Sequence, residues 1–196
     1  MLVEWNTNVQ DRKFVAYYSG GKDSSLALYK AIQMGEAIAL IVMLEEQGQK
    51  SRSHGMSLDI IHAQAKAIGL PIYSASATWQ DYENQFIQLL QKTQALGAET
   101  LVTGDIDLMA HAEWNQSVCD KSELSLCMPL WQRPRLDIVH EFIRLGFQSI
   151  IVTVNLNLGM TVEDLGQVLS LEYVDQLVAR GIDPCGEAGE FHTTVI

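Results

Sequence analysis

Six consecutive residues, Ser19-Gly20-Gly21-Lys22-Asp23-Ser24, hold the densest chemistry in this chain. They follow the apolar run Phe14-Val15-Ala16-Tyr17-Tyr18 and precede an amphipathic stretch, so the pattern predicts a turn between a strand and a helix N-terminus. Such a turn suits phosphate. Its glycines let the backbone come close to an anion, and the first N–H groups of the helix aim a partial positive charge at it. Ser19, Ser24 and Ser25 add hydroxyl donors, and Lys22 adds a compact positive charge. Asp23 suits a magnesium ion, which takes one or two carboxylates and fills its other positions with phosphate oxygens and water. The pattern is neither the Walker loop G-x-x-x-x-G-K-[ST] nor the dinucleotide fingerprint G-x-G-x-x-G. At average residue usage it arises by chance on the order of 10⁻⁶ per position. The plain alternative is a glycine turn in which Asp23 or Ser24 merely caps a helix.

A turn of this kind needs a strand behind it and a helix ahead, and the first two thirds of the chain supply that alternation repeatedly. Strands are expected at Lys13 to Tyr18, Ala37 to Leu44, Leu70 to Ala75 and Thr100 to Thr103, with helices at Asp23 to Met34, Leu58 to Ile68 and Gln80 to Leu96. Gly35, Gly69 and Gly97 each stand just past a helix, where a left-handed residue closes the last turn. The fold class is therefore α/β, a Rossmann-like parallel sheet with crossover helices. After Met109 the pattern changes. A helix from about His111 to Val118 and a short apolar piece at Leu126 to Met128 lead to Pro129, where a smaller α/β lobe is expected to begin. That lobe carries a helix at about Leu136 to Leu145 capped by Gly146, a strand-like run Ser149 to Val154, a helix Glu172 to Arg180 and a glycine-spaced acidic segment, Cys185 to His192. The expected division is residues 1–128 and 129–196, packed together rather than tethered.

The 196 residues carry 13 Lys and Arg against 24 Asp and Glu, a net charge of −11. The acidity concentrates after residue 150, where Arg180 is the only basic residue. This balance argues against sequence-independent nucleic-acid binding. The longest apolar run, Ala37 to Leu44, falls far short of the ~20 residues of a membrane span, and the N-terminus, Met-Leu-Val-Glu-Trp-Asn-Thr-Asn, lacks the basic-then-apolar pattern of a signal peptide. A cytoplasmic protein is expected. The 3 cysteines, Cys119, Cys127 and Cys185, form no C-x-x-C pair and read as reduced thiols. Seven residues separate His111 from Cys119 and Cys119 from Cys127, which matches no common zinc spacing. An apolar strand edge or an exposed tryptophan would support a homodimer.

The Ser19 to Ser24 segment resembles the PP-loop of the ATP pyrophosphatase superfamily, whose members cleave ATP between the α and β phosphates. That resemblance implies a cradle for the terminal phosphates formed by Ser19, Gly20, Gly21, Lys22, Asp23, Ser24 and Ser25, with Gly104 beside it. It also implies an adenine contact at Met43 and Leu44, residues that read equally well as core. Four further motifs narrow the match: Gly104-Asp105-Ile106-Asp107, His111-x-Glu113-Trp114-Asn115, Pro129-Leu130-Trp131 and Cys185-Gly186-Glu187-x-Gly189-Glu190-Phe191-His192-Thr193. Together they resemble the diphthine-ammonia ligase family, in order from about Phe14 to Thr193. The chain ends three residues after Thr193, short of where relatives of that family commonly end. The resemblance implies an amide ligase using ATP and magnesium. A carboxylate on a protein or small molecule is adenylated, pyrophosphate leaves, and ammonia displaces AMP. Lys22, Asp23, Asp105, Glu187 and Glu190 are then the catalytic candidates, with Asp23 on the metal. His111, Glu113, Trp114, Gly186, Glu187, Gly189, Glu190 and His192 are the substrate-binding candidates. The carboxylates Asp105, Glu113, Glu187 and Glu190 suit capture and deprotonation of ammonium. Trp114 and Trp131 read as well as packing anchors, and His111 as a surface histidine. Two alternatives remain open. One is another PP-loop enzyme, such as a tRNA-modifying ligase or thiolase, and the other a non-catalytic adenine nucleotide sensor.

Overall fold

The computed structural model describes residues 5–196; Met1 to Glu4, on which the signal-peptide expectation partly rests, lie outside the described residues. The chain runs β1 (Lys13–Tyr17), α1 (Lys22–Ile32), β2 (Glu36–Leu44), α2 (Leu58–Ile68), β3 (Ile72–Ser76), α3 (Tyr82–Ala95), β4 (Thr100–Val102), α4 (Met109–Lys121) and β5 (Ser125–Cys127). It continues with α5 (Arg135–Arg144), β6 (Ser149–Val154), two short 3-10 turns, α6 (Leu171–Ala179) and β7 (Phe191–Val195).

Five strands form one parallel sheet in the order β3-β2-β1-β4-β5. The side-chain period of two sends alternate residues of each strand into opposite layers. Leu40, Val42 and Leu44 of β2 enter one core with Phe14, Ala16 and Leu26, while Ala39, Ile41 and Met43 enter the other with Val15, Phe86 and Leu101. Burial on both faces is why these strands read as unbroken apolar runs. β6 and β7 pair antiparallel in a separate two-stranded sheet. This sheet joins the first core together with α5 and α6: Ile151 of β6 and Phe191 of β7 pack in the same cluster as Ile138 and Phe142 of α5, Val174 of α6, Phe14 and Leu26. The expected α/β architecture is present.

The differences from expectation have local reasons. The apolar piece near Leu126 is β5, a fifth strand of the parallel sheet pairing with β4; three residues are too few to show a period. Phe191 to Val195, whose first residues read as the end of an acidic segment, form β7. Gly69, Gly97 and Gly146 are left-handed as expected, but Gly35 has no positive φ. A Cβ there would lie 2.6 Å from the carbonyl oxygens of both Arg12 and Val9, so Gly35 is needed for close approach of backbones instead.

The chain leaves β1 outward through β2 to β3, then crosses back to β4 and β5. The order therefore reverses between β1 and β4, and a crevice opens at the carboxyl ends of those two strands. The turn after β1 and the Gly104-Asp105 segment after β4 both lie at that crevice.

Candidate active site

The residues after β1 leave the strand at Tyr18, and α1 starts at Lys22 with Gly21 as its N-cap. Gly21 has no side chain with which to cap the helix, and the leading N–H of Lys22 goes to Thr193 Oγ1 at 3.2 Å instead. Gly20 holds φ +80°, a left-handed conformation that glycine adopts without strain. Ser24 Oγ donates to the Gly21 carbonyl at 3.2 Å and pairs with Ser19 Oγ at 3.0 Å, which ties the turn across its mouth. β4 delivers Gly104 against the start of α1, where a Cβ would lie 2.9 Å from the Asp23 carbonyl carbon and the Ser24 nitrogen. Any larger residue would push the two segments apart.

Around this turn lies a cleft of about 350 Å³. The β1 turn contributes Ser19, Lys22, Asp23 and Ser24, the segment after β4 contributes Gly104 and Asp105, and α4 contributes His111. The C-terminal segment adds Gly186, Glu187, Gly189, His192 and Thr193. Four separated stretches therefore meet at one place.

Lys22 is 3% exposed, so its charge needs partners. Nζ lies 2.7 Å from Asp23 Oδ2, donates to the Cys185 carbonyl oxygen and stands 5.6 Å from the centre of the Phe191 ring. Burial pulls its pKa down, yet Asp23 and the other nearby acidic groups outweigh it, and the lysine stays charged with a raised pKa. The second oxygen of Asp23, Oδ1, is buried without a hydrogen-bond partner. It is a free acceptor beside the turn. Asp105 accepts from Asn115 Nδ2 at 2.8 Å and lies 3.1 Å from His111 Nδ1. Burial works to raise its pKa, but the His111 and Asn115 contacts prevail and hold it down, and Asp105 in turn raises that of His111. Glu187 is the opposite case. Burial first, and the neighbouring Asp23 charge second, push its carboxyl up to about 7.

The Glu187 segment is held in place from behind. Arg135 at the start of α5 grips Asp107 through Nε at 2.8 Å and Nη2 at 2.7 Å, and its Nη1 pairs with Asp183. Asp183 then accepts the N–H groups of Cys185 at 2.9 Å and Glu187 at 3.0 Å. On the opposite wall, the loop after β2 brings in His54, which stacks on His192 with ring centres 4.4 Å apart. Burial, with His192 and Lys22 nearby, lowers its pKa to about 3, so the imidazole is neutral at physiological pH.

Several expected site residues are placed elsewhere. Met43 and Leu44 are buried in the two cores rather than at the cleft. Ser25 Oγ turns to Tyr18 Oη at 3.3 Å, because one helical step carries it about 100° round from Ser24. On α4, His111 and Asn115 share a face at i and i+4, which puts Glu113 two positions round on an exposed flank and Trp114 against Phe86, with ring centres 5.0 Å apart. Glu190 is buried with its carboxylate accepting Ala188 N at 3.1 Å and its carbonyl accepting Asn155 N at 2.7 Å. It shapes its own loop and does not line the cleft. Conversely, no local signal marks His54 or Arg135, whose partners His192, Asp107 and Asp183 are distant in sequence, and Asn115 and Asp183 gain their roles only through the side-chain orientations that let them hold Asp105 and the Glu187 segment. Among the described residues, no cluster of three or more His, Cys, Asp or Glu is disposed to hold a metal by protein ligands alone, and no helix is long and apolar enough to cross a membrane.

Family models for the diphthamide synthase N-terminal domain and the diphthamide synthase C-terminal domain match residues 12–126 and 134–196. A diphthine–ammonia ligase of Schizosaccharomyces pombe is 26% identical over 208 residues, covering 94% of this chain and 34% of that protein. The Saccharomyces cerevisiae diphthine–ammonia ligase is 26% identical, with 94% and 33% covered, and the human one is 25% identical, with 92% and 77% covered. The chain thus spans about a third of the length of the two yeast relatives. A crystal structure described as a predicted subunit of tRNA methyltransferase from Methanocaldococcus jannaschii has the same fold, with a TM-score of 0.50, 16% identity, and 94% and 96% of the two chains covered.

Proposed function

The chain belongs to the diphthamide synthase family, and from that premise we propose that it is an ATP-dependent amide ligase that adenylates a carboxylate and then transfers the acyl group to ammonia. One observation carries the reading. A glycine turn built to hold an anion, with its buried Lys22, faces Glu187, a carboxyl near the midpoint of its titration at neutral pH, across a single cleft.

In this reading the N–H groups of the turn, the hydroxyls of Ser19 and Ser24 and the Lys22 ammonium hold the terminal phosphates of ATP. The acceptor carboxylate oxygen bonds to the α phosphorus as the bond to the β-phosphate oxygen breaks, and that electron pair leaves with pyrophosphate. Ammonia then attacks the acyl carbon and the C–O bond to AMP breaks. The chain needs no nucleophile of its own, because positioning and charge neutralisation carry the first step. Magnesium fits the site through Asp23, whose Oδ1 is buried and unpartnered, and its role would be to neutralise phosphate charge. Glu187 accepts the proton that ammonium must lose. A carboxyl with pKa about 7 is a far stronger base than one at 4.5, yet still ionised in about half the molecules at neutral pH. Asp105, tied to His111 and Asn115, stays ionised and supplies fixed negative charge for ammonium.

The acceptor is a carboxylate on a protein or a small molecule; diphthine, named in the relatives' activity, is the first to try. The direct test supplies the protein with ATP, magnesium, isotopically labelled ammonium and cell extract, and identifies by mass spectrometry what gains an amide. AMP and pyrophosphate should appear in step with it, and Asp23→Ala should abolish both. Formation of ADP and phosphate instead would overturn the mechanism.

A further inference from the structure

Gln64 stands in the middle of α2 and belongs to no motif. Its side-chain amide is nevertheless wedged between the β1 turn and β7. Nε2 lies 3.2 Å from the Gly20 carbonyl oxygen, 2.7 Å from the Val195 carbonyl oxygen and 3.3 Å from Thr194 Oγ1. Carbonyl oxygens only accept, so the amide must turn its nitrogen toward them. The Gly20 carbonyl also accepts Val195 N at 3.0 Å, and two residues along on each segment Thr193 Oγ1 accepts Lys22 N at 3.2 Å. The C-terminal strand and Gln64 together lace the back of the turn.

The consequence lies in the peptide that joins Gly20 to Gly21. A trans peptide is planar, with its carbonyl oxygen and its N–H pointing to opposite sides. No cis peptide occurs among the described residues. Holding the Gly20 oxygen against Gln64 and β7 therefore fixes where the Gly21 N–H points, which is toward Ser19 Oγ at 3.3 Å, on the wall of the cleft. Glycine at position 20 has little intrinsic preference for this orientation, so something outside the turn must impose it. Even the space beside Gly20 is filled by the amide: Gln64 Oε1 would lie 2.5 Å from a Cβ placed there.

We propose that Gln64 is a positioning residue for the phosphate-binding turn, fixing the Gly20–Gly21 peptide through its carbonyl and so directing the Gly21 N–H at Ser19 Oγ on the cleft wall. The proposal rests on the reading that this turn holds the phosphates of ATP. Its test uses the pH dependence of Gln64→Glu. An ionised carboxylate sets negative oxygens against two carbonyls and has no hydrogen to give, whereas the protonated acid restores one donor. ATP affinity of Gln64→Glu, as a ratio to wild type at each pH, should be roughly tenfold lower at pH 8 and should recover as the pH falls toward 5, because partial burial against two carbonyl oxygens holds the new carboxyl above its ordinary range. Gln64→Leu should be weakened by a similar factor at every pH, with the loss in KM for ATP rather than in kcat. Thermal midpoints and circular dichroism of both variants accompany the titration. A pH-independent ratio for Gln64→Glu, unchanged affinity in both variants, or failure of both to fold would overturn the positioning role. If wild type binds no ATP, the nucleotide reading falls instead.

Discussion

Glu187 and Asp105 are carboxylates in one cleft with opposite surroundings. Asp105 is met by His111 and Asn115 and its pKa is held down, whereas Glu187 has burial and the Asp23 charge against ionisation and rises to about 7. Environments that separate two carboxyls in this way mark out a fixed anion and a proton acceptor. Replacing Glu187 by Gln should lower the proposed amide formation about a hundredfold or more and leave ATP binding within about threefold of wild type, since the proposed phosphate cradle does not use it. Equal loss of both would remove the assigned role. The same substitution has a stability consequence with a definite sign. A carboxyl with an ordinary value of 4.5 that rises to about 7 on folding opposes folding as it ionises, so the cost grows from about pH 4.5 to pH 7 and stays constant above. Glu187→Gln should therefore melt higher than wild type at pH 8, with the difference vanishing near pH 4. A melting difference independent of pH would contradict the raised pKa.

At the scale of elements, the reactive groups sit on loops and helix starts that other elements hold. Arg135, at the start of α5, joins the segment after β4 through Asp107 to the segment before β7 through Asp183. Asp183→Asn removes the ion pair and leaves one carbonyl oxygen to accept two N–H groups. Amide formation should fall roughly tenfold, and the apparent pKa of the pH–rate profile should move from about 7, while ATP affinity changes little. Loss of ATP binding to the same degree would mean that the segment supports the cradle rather than Glu187. This clamp was not legible beforehand. Asp107 falls in the Gly104-Asp105-Ile106-Asp107 motif, but nothing near Arg135 or Asp183 indicates a partner 28 or 48 residues away. α2, by contrast, was legible to the residue, Leu58–Ile68, because its apolar period and the left-handed Gly69 are local signals.

For the whole molecule, the net charge of −11 repels an anionic nucleotide at long range, whereas at the proposed site the turn and Lys22 would attract it at short range. The association rate for ATP should consequently rise as salt is increased from low ionic strength, the reverse of a basic nucleic-acid binder. A steep fall in stopped-flow measurements would show a cationic approach surface and favour a polyphosphate partner. The sequence alone determined the α/β class, the strand-turn-helix at Ser19 to Ser24 and the order of motifs, because glycine turns, helix caps and apolar periods are written in neighbouring residues. Only the tertiary structure decided which motif residues share the cleft. It brought Glu187 to the cleft and turned Glu190 onto its own loop, placed His111 there and Glu113 on the flank, and laid β7 and Gln64 behind the turn. Those outcomes depend on which way each side chain faces once distant segments pack, and a turn of a helix or a step along a strand reverses that direction without changing the motif.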